Sequence, residues 1–106
     1  MTKVTFFKSG DNYKGFVTSG HSGFDRRGRD IVCSAISILT INTVNSIEAL
    51  TDTPMRVSTE EGIISCMFDD GYGDKASVLI DSYILGLKSI VEQYGDKYLQ
   101  LEFQEV

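Results

Sequence analysis

One histidine and two cysteines, His21, Cys33 and Cys66, are all that 106 residues supply of the strongest metal-binding side chains. They show no C-x-x-C or H-x-x-x-H spacing, so a tetrahedral zinc shell could be filled only by adding carboxylates. No metal and no cofactor are therefore expected. Basic residues are also in short supply, 10 against 15 acidic ones, for a formal net charge of −5. Nonspecific affinity for nucleic acid comes mostly from basic patches, so no direct nucleic-acid partner is expected either. The apolar run at the amino terminus, Met1 to Lys8, is too short for a signal peptide, and no later segment reads as a bilayer span. The expectation is a cytoplasmic protein with no membrane partner, whose two cysteines are reduced rather than joined. Internal repeats, low-complexity tracts and linkers are missing, and the length leaves room for a single domain, residues 1–106. A chain this short buries a modest core, which association into a homodimer would supplement.

What is present is a regular alternation of apolar patterns. Thr2 to Lys8 reads as a strand, Gly10-Asp11-Asn12 as a turn, and Tyr13 to Ser19 as the returning strand. From Ile31 to Leu50, Val32, Ala35, Ile36, Leu39, Thr43, Ile47 and Leu50 recur at helical spacing with neither glycine nor proline. Thr51-Asp52-Thr53-Pro54 ends that helix, because the residue before a proline is pushed out of helical conformation. Met55 to Ser58 is a short strand candidate, and Thr59-Glu60-Glu61-Gly62 reads as a turn. Ile63 to Phe68, apolar on both faces, reads as a central strand. Asp69 to Gly73 is a loop, and Asp74 is suited to cap a second long helix. Its stripe is Ala76, Leu79, Ile80, Tyr83, Leu87, Ile90, Val91 and Tyr94. Gly86 interrupts that helix at about 1 kcal/mol relative to alanine, which close contact with a neighbouring helix would explain. Gly95 fits a carboxy-terminal cap, and Leu99, Leu101 and Phe103 alternate with polar residues in a last strand. The order β-β-α-β-β-α-β predicts an α+β fold, a two-layer sandwich of a mainly antiparallel sheet with two long helices on one face.

The chemistry-bearing residues are concentrated in Gly20 to Cys33, which holds the histidine, one cysteine, three glycines and Arg26, Arg27 and Arg29. With Asp30 as N-cap, Cys33 falls in the first turn of the helix, where the positive end of the dipole favours negative charge. The unpaired N–H groups of that turn are candidates for an oxyanion hole. His21 lies twelve positions earlier, a separation that lets the loop fold back and bring the imidazole to the sulfur. Ser37 follows Cys33 by one helical turn on the same face. Each residue also has a plainer reading: a small buried cysteine, a surface histidine, an aspartate that only caps, a solvated arginine cluster. Cys66 reads as core. Gly20, Ser22, Gly23 and Gly28 read as a substrate loop, and its glycines suggest a mobile lid. Gly20-x-x-Gly23 and Gly28 match neither the P-loop nor the dinucleotide fingerprint. Gly20-His21-Ser22-Gly23 does match the bare G-x-x-G of KH domains, although there the motif joins two helices. A small RNA- or ribosome-binding module using loop 20–29 is therefore the alternative to a cysteine-nucleophile site.

Gly20-His21, Asp30-Ile31-Val32-Cys33, Ser37 and Val44-Asn45-Ser46 together resemble the bacterial ribosomal-processing cysteine proteases, the Prp family. The resemblance spans nearly the whole chain. It implies a cytoplasmic, homodimeric cysteine endopeptidase with a dyad of Cys33 as nucleophile and His21 as general acid/base. Asp30 and Ser37 match motif positions and are possible supporting residues. The implied substrate is the N-terminal extension of a bacterial large-subunit ribosomal protein, cut after a pair of aromatic residues, so an apolar groove beside Cys33 is expected. Two departures stand out: Ser34 where the family often has alanine, and a basic loop from Phe24 to Arg29.

Overall fold

The structure is a computed structural model that describes residues 1–26, 29–69 and 74–106. β1 (Thr2–Ser9) and β2 (Asn12–Ser19) form the expected hairpin, turning at Gly10 with φ 60°. α1 (Ile31–Leu50), β3 (Met55–Glu60), β4 (Ile63–Phe68), α2 (Asp74–Tyr94) and β5 (Leu99–Glu105) follow. The strands form one sheet in the order β3-β4-β2-β1-β5. Every neighbouring pair is antiparallel except β1 with β5, which is parallel. β2 and β3 thus run the same way on either side of β4, and α1 connects them. β4 and β5 likewise run the same way, and α2 connects them across β2 and β1. Parallel strands need such long crossovers, and here each one is a helix. Both helices lie on one face, as the order of elements predicts.

That arrangement decides where the site sits. Ser19 pairs with Ile63, and Glu60 pairs with the same Ile63. The end of β2, the β3–β4 turn and the start of α1 therefore share one end of the molecule. Thr2 pairs with Leu99, so the starts of β1 and β5 lie there too.

The core is the interface of the two layers. Val4, Phe6, Phe16, Cys66 and Leu99 from the sheet meet Val32, Ile36, Ile47, Ile80, Tyr83 and Leu87 from the helices, all buried. The Tyr83 ring stands edge-on to Phe6 at 5.6 Å and tilted to Phe16 at 5.1 Å. Its hydroxyl shares hydrogen bonds with Thr18 (3.1 Å) and Thr40 (2.6 Å). The predicted α1 stripe needs two corrections. Thr40 and Val44 are buried in it, whereas Leu50 at the last position is 64% exposed. Thr40 buries because its hydroxyl is satisfied by the Ile36 carbonyl one turn back and by Tyr83. Gly86 is explained as expected: a Cβ there would stand 2.9 Å from Cδ1 of Leu39 in α1.

Other boundaries differ from expectation. β3 runs on through Thr59 and Glu60, because those residues pair with Ile64 and Ile63, and the turn shrinks to Glu61-Gly62 with φ 75° at the glycine. Asp74 lies within the first turn of α2 rather than at its cap. The expected loop up to Gly73 falls on residues 70–73, outside the described residues. α2 also buries Ile84, which the stripe omitted. Finally, contrary to the expectation that no segment reads as a bilayer span, α1 is long and apolar enough to cross a membrane by length and composition. Here its buried face packs into the core.

Candidate active site

Asp30 organises the crossing from β2 to α1. Its backbone is extended (φ −80°, ψ 95°), and Oδ1 accepts the Cys33 N–H at 2.8 Å, the N-cap the sequence predicts. Oδ2 accepts the Ser22 hydroxyl and the Phe24 N–H, the latter at 3.1 Å. Asp30 is only 8% exposed. Burial alone would raise its pKa; the Ser22 hydroxyl and the N–H groups of Cys33, Phe24 and Asp25 outweigh it and hold the carboxyl below its ordinary value. The group is therefore an anion bound by four donors, with the Cys33 backbone as one of them.

This cap alters one expectation. The Cys33 N–H is consumed by Asp30 Oδ1, and the Ser34 N–H closes the first helical bond onto the Asp30 carbonyl at 3.1 Å. Any oxyanion held at this helix start must use the N–H groups of Ile31 and Val32 instead. Cys33 itself is half-buried in the first turn, a free thiol. Cys66 is free too, buried in β4 beside Met55, and burial pushes its thiol up to about 11.

His21 is exposed at the end of β2. Its neighbour Gly20 (φ 87°) donates its N–H to the Gly62 carbonyl at 2.9 Å, tying the β2 end to the β3–β4 turn. A Cβ on Gly20 would strike the Met1 carbonyl oxygen at 2.6 Å, so only glycine fits that approach. A Cβ on Gly62 would lie 3.8 Å from His21 Nε2, so the imidazole lies over this turn. His21 and Cys33 thus occupy the same end of the molecule, with no hydrogen bond between them among the described residues. Ser37 is half-buried one turn beyond Cys33.

The loop residues separate into distinct roles. Ser22 is 2% exposed and holds Asp30, so it is a structural pin rather than a surface contact for substrate. Gly23 is exposed with φ 73°. Phe24 packs edge-on against Tyr94 at 5.5 Å and Tyr98 at 5.1 Å. Loop residues 22–24 are therefore fastened to both the α1 start and the α2 end, which does not fit a lid that swings freely from Ser22. Arg26 and Arg29 are exposed, joined by the Arg29 N–H bond to the Arg26 carbonyl at 3.0 Å. Arg27 and Gly28 lie outside the described residues. The Phe24 clasp was not predicted; its one sequence signal is a large aromatic alone among polar loop residues. Among the described residues no group of three or more His, Cys, Asp or Glu side chains could hold a metal.

On the β3 side of α1 an open groove of about 280 Å³ is lined by Ile41, Val44, Val57 and Ile64, with Asn45, Glu48 and Thr59 at its margins. It begins eight positions along α1 from Cys33.

Residues 1–99 match the model of the cysteine protease Prp family. The chain belongs to that family. It is accordingly a cysteine protease, a hydrolase. It is 25% identical over 103 residues to the ribosomal processing cysteine protease Prp of Bacillus subtilis, covering 91% of this chain and 92% of that one. Its fold is that of the S. aureus Prp protease solved with a covalently linked product peptide. The TM-score is 0.91 at 22% identity, covering 98% of this chain and 100% of that one. It is also the fold of SMU.848 from Streptococcus mutans, with a TM-score of 0.75 at 24% identity, covering 100% of this chain and 96% of that one.

Proposed function

We infer that this Prp-family chain is an endopeptidase in which Cys33 is the nucleophile and His21 the general acid/base. The observation that carries this is the Asp30 cap. It fixes the first turn of α1, and with it Cys33, at the end of the molecule where β2 delivers His21. His21 takes the thiol proton, and Cys33 Sγ attacks the scissile carbonyl carbon. The oxyanion that forms faces the Ile31 and Val32 N–H groups. As the C–N bond breaks, the imidazolium gives its proton to the leaving amine, and a thioester remains. His21 then takes a proton from water, whose oxygen attacks the thioester carbon and displaces Cys33 Sγ; the acid leaves and the imidazolium returns its proton to the sulfur. Catalytic hydrogen bonds are often loose in the absence of substrate, so an unmade His21–Cys33 bond is compatible with this sequence of steps. Ser22 and Asp30 act as positioning residues.

The substrate we propose is the N-terminal extension of a large-subunit ribosomal protein, in keeping with the ribosomal processing named for the B. subtilis relative. A cytoplasmic location and a homodimer belong to the same reading, with no direct nucleic-acid or membrane partner. The described part of loop 20–29 does not favour an RNA-binding module, since Ser22 is buried on Asp30 and Phe24 is engaged edge-on by Tyr94 and Tyr98. The test is incubation with a peptide of that extension, read by mass spectrometry. Wild-type protein should cut it at one bond, while Cys33→Ala and His21→Ala, folded by circular dichroism, should leave it intact. Cleavage by Cys33→Ala at the wild-type rate would refute the assignment.

A further inference from the structure

The helix layer stops short of one edge of the sheet. Val57 and Thr59 of β3 pair with Cys66 and Ile64 of β4, which face the helices. Both β3 residues therefore point to the helix side. Yet every residue of β3 after Met55 is exposed, and Val57 is 46% exposed. Among the described residues β3 is also the terminal strand, paired with β4 alone. No described strand covers its other edge, and such an edge presents N–H and C=O groups to an added strand. Ile41, 48% exposed on α1, and Ile64 complete the wall and floor of the groove beside that edge. An unroofed strand edge next to an apolar groove is the arrangement that binds extended peptides. The main chain pairs with the edge, and alternate side chains enter the groove.

The groove shares two elements with the candidate site. β3 runs toward the Glu61-Gly62 turn over which His21 lies, and α1 runs away from Cys33 along the groove's other wall. Cys33 and Ile41 are eight residues apart, about 12 Å along the helix at about 1.5 Å per residue. An extended peptide covers that distance in roughly four residues at about 3.3 Å each.

We propose that the substrate binds as an added strand on β3, placing an apolar side chain about four residues from the scissile bond in the groove of Ile41, Val57 and Ile64. This rests on the endopeptidase reading and adds a specificity element remote from Cys33. Because the groove holds substrate and transition state alike, its loss should raise KM and leave kcat unchanged.

Val57→Asp and Ile41→Asp are surface substitutions that leave the core intact. They are compared with wild type on a peptide of about twelve residues centred on the scissile bond, and on versions shortened to two residues on either side. The expected result is a KM raised about tenfold or more on the long peptide with kcat within twofold. On the peptide shortened at the groove side, the variants should match wild type. Unchanged KM on the long peptide, or an equal loss on both shortened peptides, would overturn the proposal. So would a change in assembled mass by light scattering with KM unmoved, since the groove would then be an interface between copies. Anisotropy of the fluorescein-labelled long peptide with Cys33→Ala, alone and combined with Val57→Asp, separates the two readings. Binding weakened by Val57→Asp supports the groove even if wild type leaves the peptide uncut, an outcome that would refute the endopeptidase reading alone. Equal binding with and without Val57→Asp refutes the groove.

Discussion

Replacing Asp30 by alanine tests the centre of the site in two ways. The substitution removes the N-cap acceptor of the Cys33 N–H, typically about 0.5–2 kcal/mol. It also leaves the Ser22 hydroxyl buried without its acceptor, typically about 1–3 kcal/mol. Together these give a loss of about 1.5–5 kcal/mol, which for a domain of this size lowers the melting temperature by roughly 6–40 °C. Ser22→Ala removes only the donor and should cost about 1 kcal/mol. The double variant should then lose less than the two single ones combined, with a coupling of about 1–2 kcal/mol. The charge adds a pH signature. The folded-state value of Asp30 is depressed from 3.8, so folding favours the carboxylate. Its contribution is present above pH 3.8 and is lost as pH falls through the folded value. Urea denaturation followed by far-UV circular dichroism, repeated from pH 7 to pH 3, should show the gap between wild type and Asp30→Ala narrowing below about pH 4. A gap that is constant over that range, or additive losses from Ser22→Ala and Asp30→Ala, would refute the four-donor account.

Three further outcomes are expected. Iodoacetamide at pH 7.5 should label Cys33 once in the native protein, with Cys66 modified only in denaturant, because its buried thiol titrates at about 11; two labels at equal native rates by intact mass would contradict this. Tyr83→Phe should destabilise by about 1–2 kcal/mol, since Thr18 and Thr40 lose the hydroxyl they share, and no measurable change in the denaturation midpoint would refute that. Phe24→Ala should break the clasp on Tyr94 and Tyr98, each ring pair contributing about 0.5–1.5 kcal/mol, so tryptic cleavage at Arg26 should accelerate severalfold; an unchanged digestion rate would mean the clasp does not hold the loop.

The parts of this molecule that a sequence displays are those set by neighbours along the chain. The Asp30 cap, the span of α1, the Gly86 contact and the two-layer order all follow from local spacing and were readable. What depends on residues distant in the chain is not displayed there. Ser22 looked like a loop hydroxyl because its burial depends on Asp30, eight residues away, and Phe24 is held by residues about seventy positions later. Thr40 looked polar, and only the meeting of its hydroxyl with Tyr83 makes it core. β3 looked shorter than it is because exposed Thr59 and Glu60 carry no apolar signal; what makes them strand is pairing with β4.

The same difference bears on how the site divides its work. Everything that positions Cys33 is either local to it or fastened by Asp30, an arrangement that tolerates little change. The groove beside β3 is lined from three separate elements and its strand edge is exposed, so substitutions there alter one wall at a time without disturbing the cap. Chemistry and peptide choice are thus carried by different residues, and variants at Val57 or Ile41 should redirect which peptides bind while Cys33 keeps its surroundings. A groove variant that lost kcat on every peptide would show the two to be coupled through α1 rather than separate.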